Sequence, residues 1–180
     1  MERNIFENIS PIDHRYSLRS DEFAKYKKYF SEKAKVEFQA EVELALVKTL
    51  AQRGMCSKET VEEVEKAVKE LSVEEVYEEE KKTKHNIRAL VNCIQKRVSK
   101  EARPYVHFTT TSFDIVDTAN ALRYKKATEE LIIPLLKKLE KEFIKIAERE
   151  KNTVQIGRTH GQAAVPITFG FTMAEYISRL

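Results

Sequence analysis

Residues 111–151 read TSFDIVDTANALRYKKATEELIIPLLKKLEKEFIKIAEREK, and the spacing of the apolar residues within them decides the fold class. Ile115, Ala119 and Leu122 begin a stripe that Ile132, Leu136, Leu139, Phe143 and Ile146 resume, recurring alternately four and three residues apart. That rhythm is the seam of a helix bundle. Forty helical residues would span roughly 60 Å at 1.5 Å per residue, more than the width of a small globule, so such a helix needs partners that the chain barely provides. Pro134 should bend this helix without necessarily ending it.

Upstream, the same reading gives shorter helices. The pattern predicts one helix from Asp21 to Arg53, strongest where Val36, Ala40, Leu44, Val47 and Leu50 recur, with Gly54 as its stop. Ser57 caps a helix whose stripe is Val61, Val64, Val68 and Leu71. Ser72 to Glu75 forms a capping box for another. The run Glu78 to Lys82 reads as a solvated surface. Thr83 opens a further helix with Ile87, Leu90, Val91 and Ile94 inward, ending near Lys100, and Pro104 marks a break. Residues 1–20 read as irregular. The last segment, from Thr153, begins irregularly and turns helical after Pro166.

Composition agrees. The 180 residues include only four Gly and four Pro, against 42% hydrophobic and 34% charged residues. That scarcity of turn formers argues against an all-β fold, and the apolar content argues against disorder. The expected class is all-α: a small N-terminal helical domain, residues 1–108, followed by the first part of a central helical bundle, residues 109–180. The net charge of +3 is too small, and its charges too interleaved, for a nucleic-acid binder. Leu131 to Leu136 is too short an apolar run to cross a bilayer, and Met1 to Asn4 leads into no apolar signal segment. Cys56 and Cys93 lie far apart, which rules out a disulfide framework and favours a reducing, cytoplasmic setting.

The residues able to do chemistry collect at the breaks. His14, His85, His107 and His160 all fall at or beside breaks between helices, and Gly157, Gly161 and Gly170 crowd the last segment of a chain that otherwise avoids glycine. Glycine there lets backbone approach a ligand closely, and histidine exchanges protons near neutral pH. Taken singly, His85 reads first as a surface or partly packed residue. His160, between Thr159 and Gly161, fits a structural and a functional role equally. Thr109, Thr110, Thr111 and Ser112 bring four hydroxyls to a helix start. Any one of them can serve as a cap, but four exceed what one cap requires, and free N–H groups at a helix N-terminus favour a carboxylate or phosphate. No phosphate loop, dinucleotide fingerprint, GxSxG elbow or zinc spacing is present.

Four segments, in order, resemble the adenylosuccinate lyases of the fumarase/aspartase superfamily. Thr111-Ser112-Phe113-Asp114-Ile115-Val116-Asp117-Thr118-Ala119 is similar to the family's TSSDVVDTA. Gly157-Arg158-Thr159-His160-Gly161-Gln162, with Pro166 to Gly170, is similar to GRTHGQ…PTTFG. Ser10 to Tyr16 resembles the opening motif, and Lys84-His85-Asn86 stands where the family has a His-Asp pair. The resemblance implies β-elimination of fumarate from adenylosuccinate, giving AMP, and from the succinyl-carboxamide ribotide of purine synthesis, without a cofactor. It implies His160 as general acid and His85 as an assisting group that orients substrate. Arg15 and Tyr16 would hold the nucleotide phosphate, and Thr111 and Ser112 the succinyl carboxylate. Lys84, Asn86, His107, Thr159 and Gln162 would complete the substrate pocket, while Asp114 and Asp117 suit capping and surface roles at least as well as ligand contact. The family's partners would be a nucleotide substrate and three further copies in a homotetramer, with no nucleic acid and no membrane.

Three positions depart from the pattern: Asn86 for an aspartate, Phe113 for a second serine and Ala163 for a common histidine. Family members are also more than twice as long, and their flexible loop with a general-base serine lies beyond Leu180. The expectation is therefore a piece of a lyase, inactive alone. The alternatives are another fumarate-releasing lyase of the superfamily, or a non-catalytic helical oligomerisation module.

Overall fold

A computed structural model describes residues 4–10 and 21–180, with the side chains of residues 21–23 outside that description. The chain divides into two compact units, residues 1–127 and 128–180, and the expected domain boundary at 108/109 falls inside the first. Its helices carry the fold, as the all-α expectation has it, with one addition: a two-stranded antiparallel hairpin in the second unit.

In the first unit, the helix expected over 21–53 is two helices, α1 (Asp21–Phe30) and α2 (Glu32–Gln52). Ser31 separates them. Its hydroxyl accepts from the Ala34 N–H at 3.1 Å while donating to the Lys27 carbonyl at 2.7 Å, so one side chain closes the first helix and caps the second. Helix α3 (Lys58–Lys69) starts at the Ser57 cap and α4 (Val73–Thr83) at the Ser72 cap, each hydroxyl accepting an N–H three residues on at 3.2 Å. The run Glu78 to Lys82 lies inside α4. Lys84 then turns left-handed, at φ 53°, and ends that helix. Helix α5 (Asn86–Gln95) therefore begins three residues later than expected and stops before Lys100. Pro104 sits in a short 3-10 turn, Arg103–Tyr105, and α6 (Ser112–Ala127) follows.

The core of this unit is one cluster drawn from every helix between α2 and α6, including Val36, Val47, Val64, Val76, Ile87, Leu90, Ile94 and Ile115. Helix α2 packs on both α3 and α6, and α4 on α5. Just past the end of α5, Arg97 ties back to α4 by charge, its two terminal guanidinium nitrogens donating to the two Glu75 carboxylate oxygens, one at 2.7 Å, a planar fork matched to two oxygens.

In the second unit, helical backbone continues beyond Ala127, but residues Thr128–Ile132 form a π segment before α7 (Ile133–Arg149). Pro134 explains this. Its ring clashes with a carbonyl one turn back and it donates no N–H, and the wider π turn places it in the first turn of α7, where a donor is dispensable. Strand β1 (Val154–Thr159) pairs with β2 (Gln162–Thr168), with an irregularity between Ile156 and Arg158. Irregular backbone was expected here, and α8 (Phe169–Ile177) starts later than the Pro166 boundary, at the Thr168 cap. Pro166 faces Ile156 across the hairpin, a position that a two-stranded ribbon tolerates because each strand has a free edge.

Candidate active site

The site is built first by two helix starts. His85 is the N-cap of α5: its Nδ1 accepts the Arg88 N–H at 3.2 Å. An accepting Nδ1 is unprotonated, so in the neutral ring the proton sits on Nε2. That nitrogen lies 3.2 Å from the hydroxyl of Ser112 at the start of α6. Thus a histidine that reads on sequence as a helix-surface residue is a cap on one ring edge and a hydrogen-bond partner of the hydroxyl cluster on the other. The missing aspartate at position 86 does not leave it unoriented, because backbone does the orienting. Asn86 itself turns its Oδ1 back to the Ile87 N–H at 2.8 Å.

The Thr111 N–H donates to Asp114 Oδ2 at 2.8 Å, the reciprocal half of a capping box. Asp114 is thereby a helix-start residue and Asp117 an exposed surface residue. The hydroxyls divide their work. Thr109 bonds the Phe108 carbonyl, Thr110 bonds His107, and Ser112 bonds His85. His85, His107, Thr110, Thr111 and Ser112, with Arg88, line one cleft of about 460 Å³. A helix N-terminus, a cation and two imidazoles facing one space suit an anionic ligand that must also exchange a proton.

One residue that lines the cleft, Arg88, and one behind its wall, Glu43, are absent from the sequence reading. The Glu43 carboxylate is fully buried. Its Oε2 accepts the His107 N–H at 3.0 Å and its Oε1 lies 2.7 Å from His107 Nδ1. Burial pushes its pKa up, opposed by the hydrogen bonds from His107 and by the Arg88 charge. One signal was present: residues 36, 40, 43, 47 and 50 keep the four-three rhythm better than the stripe through Leu44, and Leu44 is only half-buried where Glu43 is buried. An acid in a core position marks a carboxylate with a dedicated partner.

The backbone around this cleft is unusual. Lys84, His107 and Thr109 have φ of 53°, 64° and 61°. Left-handed backbone without glycine costs on the order of 1 kcal/mol or more per residue and persists where surrounding contacts over-determine it. At His107 the Glu43 carboxylate grips both backbone and ring. Lys84 adjoins His85 and is exposed.

In the second unit, His160 and Gly161 are the two residues of the hairpin turn, closed by the Thr159–Gln162 pair. Both have positive φ, 51° and 71°, the signature of a type I′ turn, which matches the twist of the flanking strands. Gly161 thus serves the turn rather than a ligand. His160, Thr159 and Gln162 are all exposed. Arg15 and Tyr16 lie outside the described residues. Among the described residues, no group of three or more His, Cys, Asp or Glu side chains is placed to hold a metal ion.

Residues 14–180 match the protein family described as lyase. The chain belongs to the lyase family. Its similarity is strong to adenylosuccinate lyases: 38% identity to that of Methanocaldococcus jannaschii, over 96% of this chain and 36% of the relative, and 38% to that of Archaeoglobus fulgidus, over 92% of this chain and 35% of the relative. An N-acetyl-S-(2-succino)cysteine lyase of Enterococcus italicus is 30% identical over 86% of this chain and 34% of the relative. Among solved structures, a fumarate lyase from Mesorhizobium sp. BNC1 superposes with a TM-score of 0.74 at 26% identity, covering 86% of this chain and 36% of that one. This lyase chain therefore spans about a third of the length of the relatives it matches. Residues 111–119 and 157–162, which carry the sequence resemblance, hold the start of α6 at the cleft wall and the turn of the hairpin.

Proposed function

We propose that the whole lyase to which this chain contributes is an adenylosuccinate lyase, which breaks the C–N bond of adenylosuccinate and of the succinyl-carboxamide ribotide by β-elimination and releases fumarate. The observation that carries this reading is the 3.2 Å approach of His85 Nε2 to Ser112 Oγ at the mouth of α6, within the segments that resemble the family.

The chemistry asks for such a place. Removing a proton beside a carboxylate builds a second negative charge on that carboxylate, and fixed donors are most effective where charge develops. The α6 N-terminus with Thr111 and Ser112 holds the succinyl carboxylate. His85, its ring fixed at Nδ1 by backbone, donates through Nε2 and orients the substrate. His107 meets the substrate across the same cleft, with Lys84 and Asn86 beside it; in the homotetramer, whose active sites the resemblance draws from several subunits, Thr159 and Gln162 contribute to the pocket. Arg15 and Tyr16 hold the phosphate, a task for which the guanidinium fork is suited. His160, at the tip of the hairpin turn, protonates the departing nitrogen as general acid, while the general base comes from elsewhere in the whole enzyme. No cofactor is required: the base takes the proton, the C–H electron pair becomes the fumarate double bond, and the C–N pair leaves on the nitrogen that His160 protonates. The resemblance further supports a cytoplasmic homotetramer. Cys56 and Cys93 as free thiols suit a reducing compartment.

A second reading rests on the succinocysteine-cleaving relative: the same pocket serving another fumarate-releasing elimination. Fumarate release by the whole enzyme, compared on adenylosuccinate, argininosuccinate and a succinylated cysteine, separates the two, with adenylosuccinate expected to be fastest. His160→Gln should lower turnover by about 10²-fold or more. Unchanged turnover would favour a non-catalytic helical module instead. The 180-residue chain alone, with about a third of its relatives' length, is expected to release no fumarate.

A further inference from the structure

Glu43 has no part in the roles above, yet among the described residues of the first unit it is the most completely buried carboxylate, at 0% exposure. An ion in that setting is destabilising unless it is paired and its oxygens are satisfied. Both are satisfied by one residue. The His107 backbone N–H donates to Oε2 at 3.0 Å, and Nδ1 lies 2.7 Å from Oε1. Arg88 adds its charge from α5. Thr110 Oγ1 also reaches Nδ1, at a longer 3.1 Å. His107 lines the cleft, and with Nδ1 turned to the core, Nε2 is the nitrogen left for whatever enters.

We propose that Glu43 is a positioning residue that reserves the Nδ1 proton of His107, so that this imidazole meets substrate only through Nε2, accepting a hydrogen bond when neutral and donating one when charged. A carboxylate is an acceptor at both oxygens, so with Oε2 taken by the backbone N–H, Oε1 receives the Nδ1 proton. The competing arrangement, a protonated Glu43 donating to Nδ1, is disfavoured by the backbone N–H donated to Oε2 and by the Arg88 charge, although burial alone favours it. A carboxylate behind an imidazole fixes tautomer and ring orientation together. The purpose of this pair rests on the elimination reading, but its geometry does not.

Nitrogen-15 NMR of the 180-residue chain, labelled in its imidazoles, tests the proposal without any turnover. In the unaltered chain, the neutral His107 ring should carry its proton on Nδ1 and show Nε2 as a bare ring nitrogen. Glu43→Gln keeps shape but has one acceptor for two donors, so with its carbonyl on the backbone N–H its amide faces Nδ1, and the neutral tautomer should swap to Nε2–H. Thr110→Val should leave the tautomer as it was. A neutral unaltered His107 carrying its proton on Nε2 overturns the proposal, as does a folded Glu43→Gln variant with no swap, or a swap produced by Thr110→Val. Support that was only structural would lower stability without exchanging the tautomer. If Glu43→Gln fails to fold, the unaltered chain and Thr110→Val still decide. Failure of the elimination reading shows separately, as absence of fumarate release by the whole enzyme.

Discussion

Glu79 and Glu43 are both buried acids of the first unit, and their surroundings give them opposite dependences on pH. Glu79, on α4, meets Lys96 Nζ at 2.6 Å and Lys82 Nζ at 3.5 Å, and accepts from Asn92 at 3.1 Å. The Lys96 hydrogen bond, then that of Asn92, holds its carboxyl down to about 2 against an ordinary 4.5. A depressed acid contributes stability that is complete above its unfolded value and is lost as pH falls through its folded one. Urea unfolding of the chain should therefore show stability declining from pH about 5 toward about 2, and Lys96→Ala should flatten that decline. An equally steep decline in the variant would show that the pair does not set it. Glu43 has the reverse sign: its raised pKa makes its contribution greatest below 4.5, and it is lost as pH rises through the folded value. Neither residue stands out by composition. Charge is visible in a sequence, but whether a given acid is solvated or enclosed depends on what packs over it, so the apolar pattern favours Leu44 over Glu43.

Helix starts were the most legible elements. Ser57 and Ser72 cap where a hydroxyl before an apolar rhythm says they should, because a cap is a contact within four residues. Ser31 has the same chemistry but stands in an unbroken helical pattern, and His85 caps α5 through a ring nitrogen, a role its residue type does not advertise. The hairpin was illegible for another reason. Its strands expose Val154 at 74% and Val165 at 70%, so no inward-outward alternation is imposed on it, and Pro166 argues against a strand. Gly170 shows what an element boundary can hide: a Cβ added there would meet the Ala147 carbonyl oxygen at 2.5 Å and Lys151 backbone at 2.7 Å. Its glycine serves the close approach of α8 to the end of α7, not a ligand. Gly170→Ala should thus destabilise this unit by about 1–3 kcal/mol despite the helix propensity gained. Thermal unfolding measures it, and a raised midpoint would contradict the packing argument.

At the scale of the whole chain, the two units differ in what they enclose. The first has a continuous core. In the second, only Gly157 and Gly170 are buried, and Leu135, Leu136 and Leu139 of α7 are each about 40% exposed. Protection from amide exchange follows buried apolar contact. Hydrogen exchange of this chain should find α2 and α5 protected near the global limit, and α7 and α8 exchanging faster. Equal protection across residues 128–180 would mean that the apolar seam of α7 finds cover in this chain after all.

The sequence by itself determined that this chain is helical, where most of its helices start, and which family it belongs to, because periodicity, caps and motifs are local and survive without a third dimension. The tertiary structure decided which residues of those motifs meet: that His85 faces Ser112, that His107 is gripped from behind by Glu43, and that the turn beneath His160 is a hairpin. Each is a contact between positions distant in sequence or a backbone state that no local pattern demanded, and such choices are made only when the core closes.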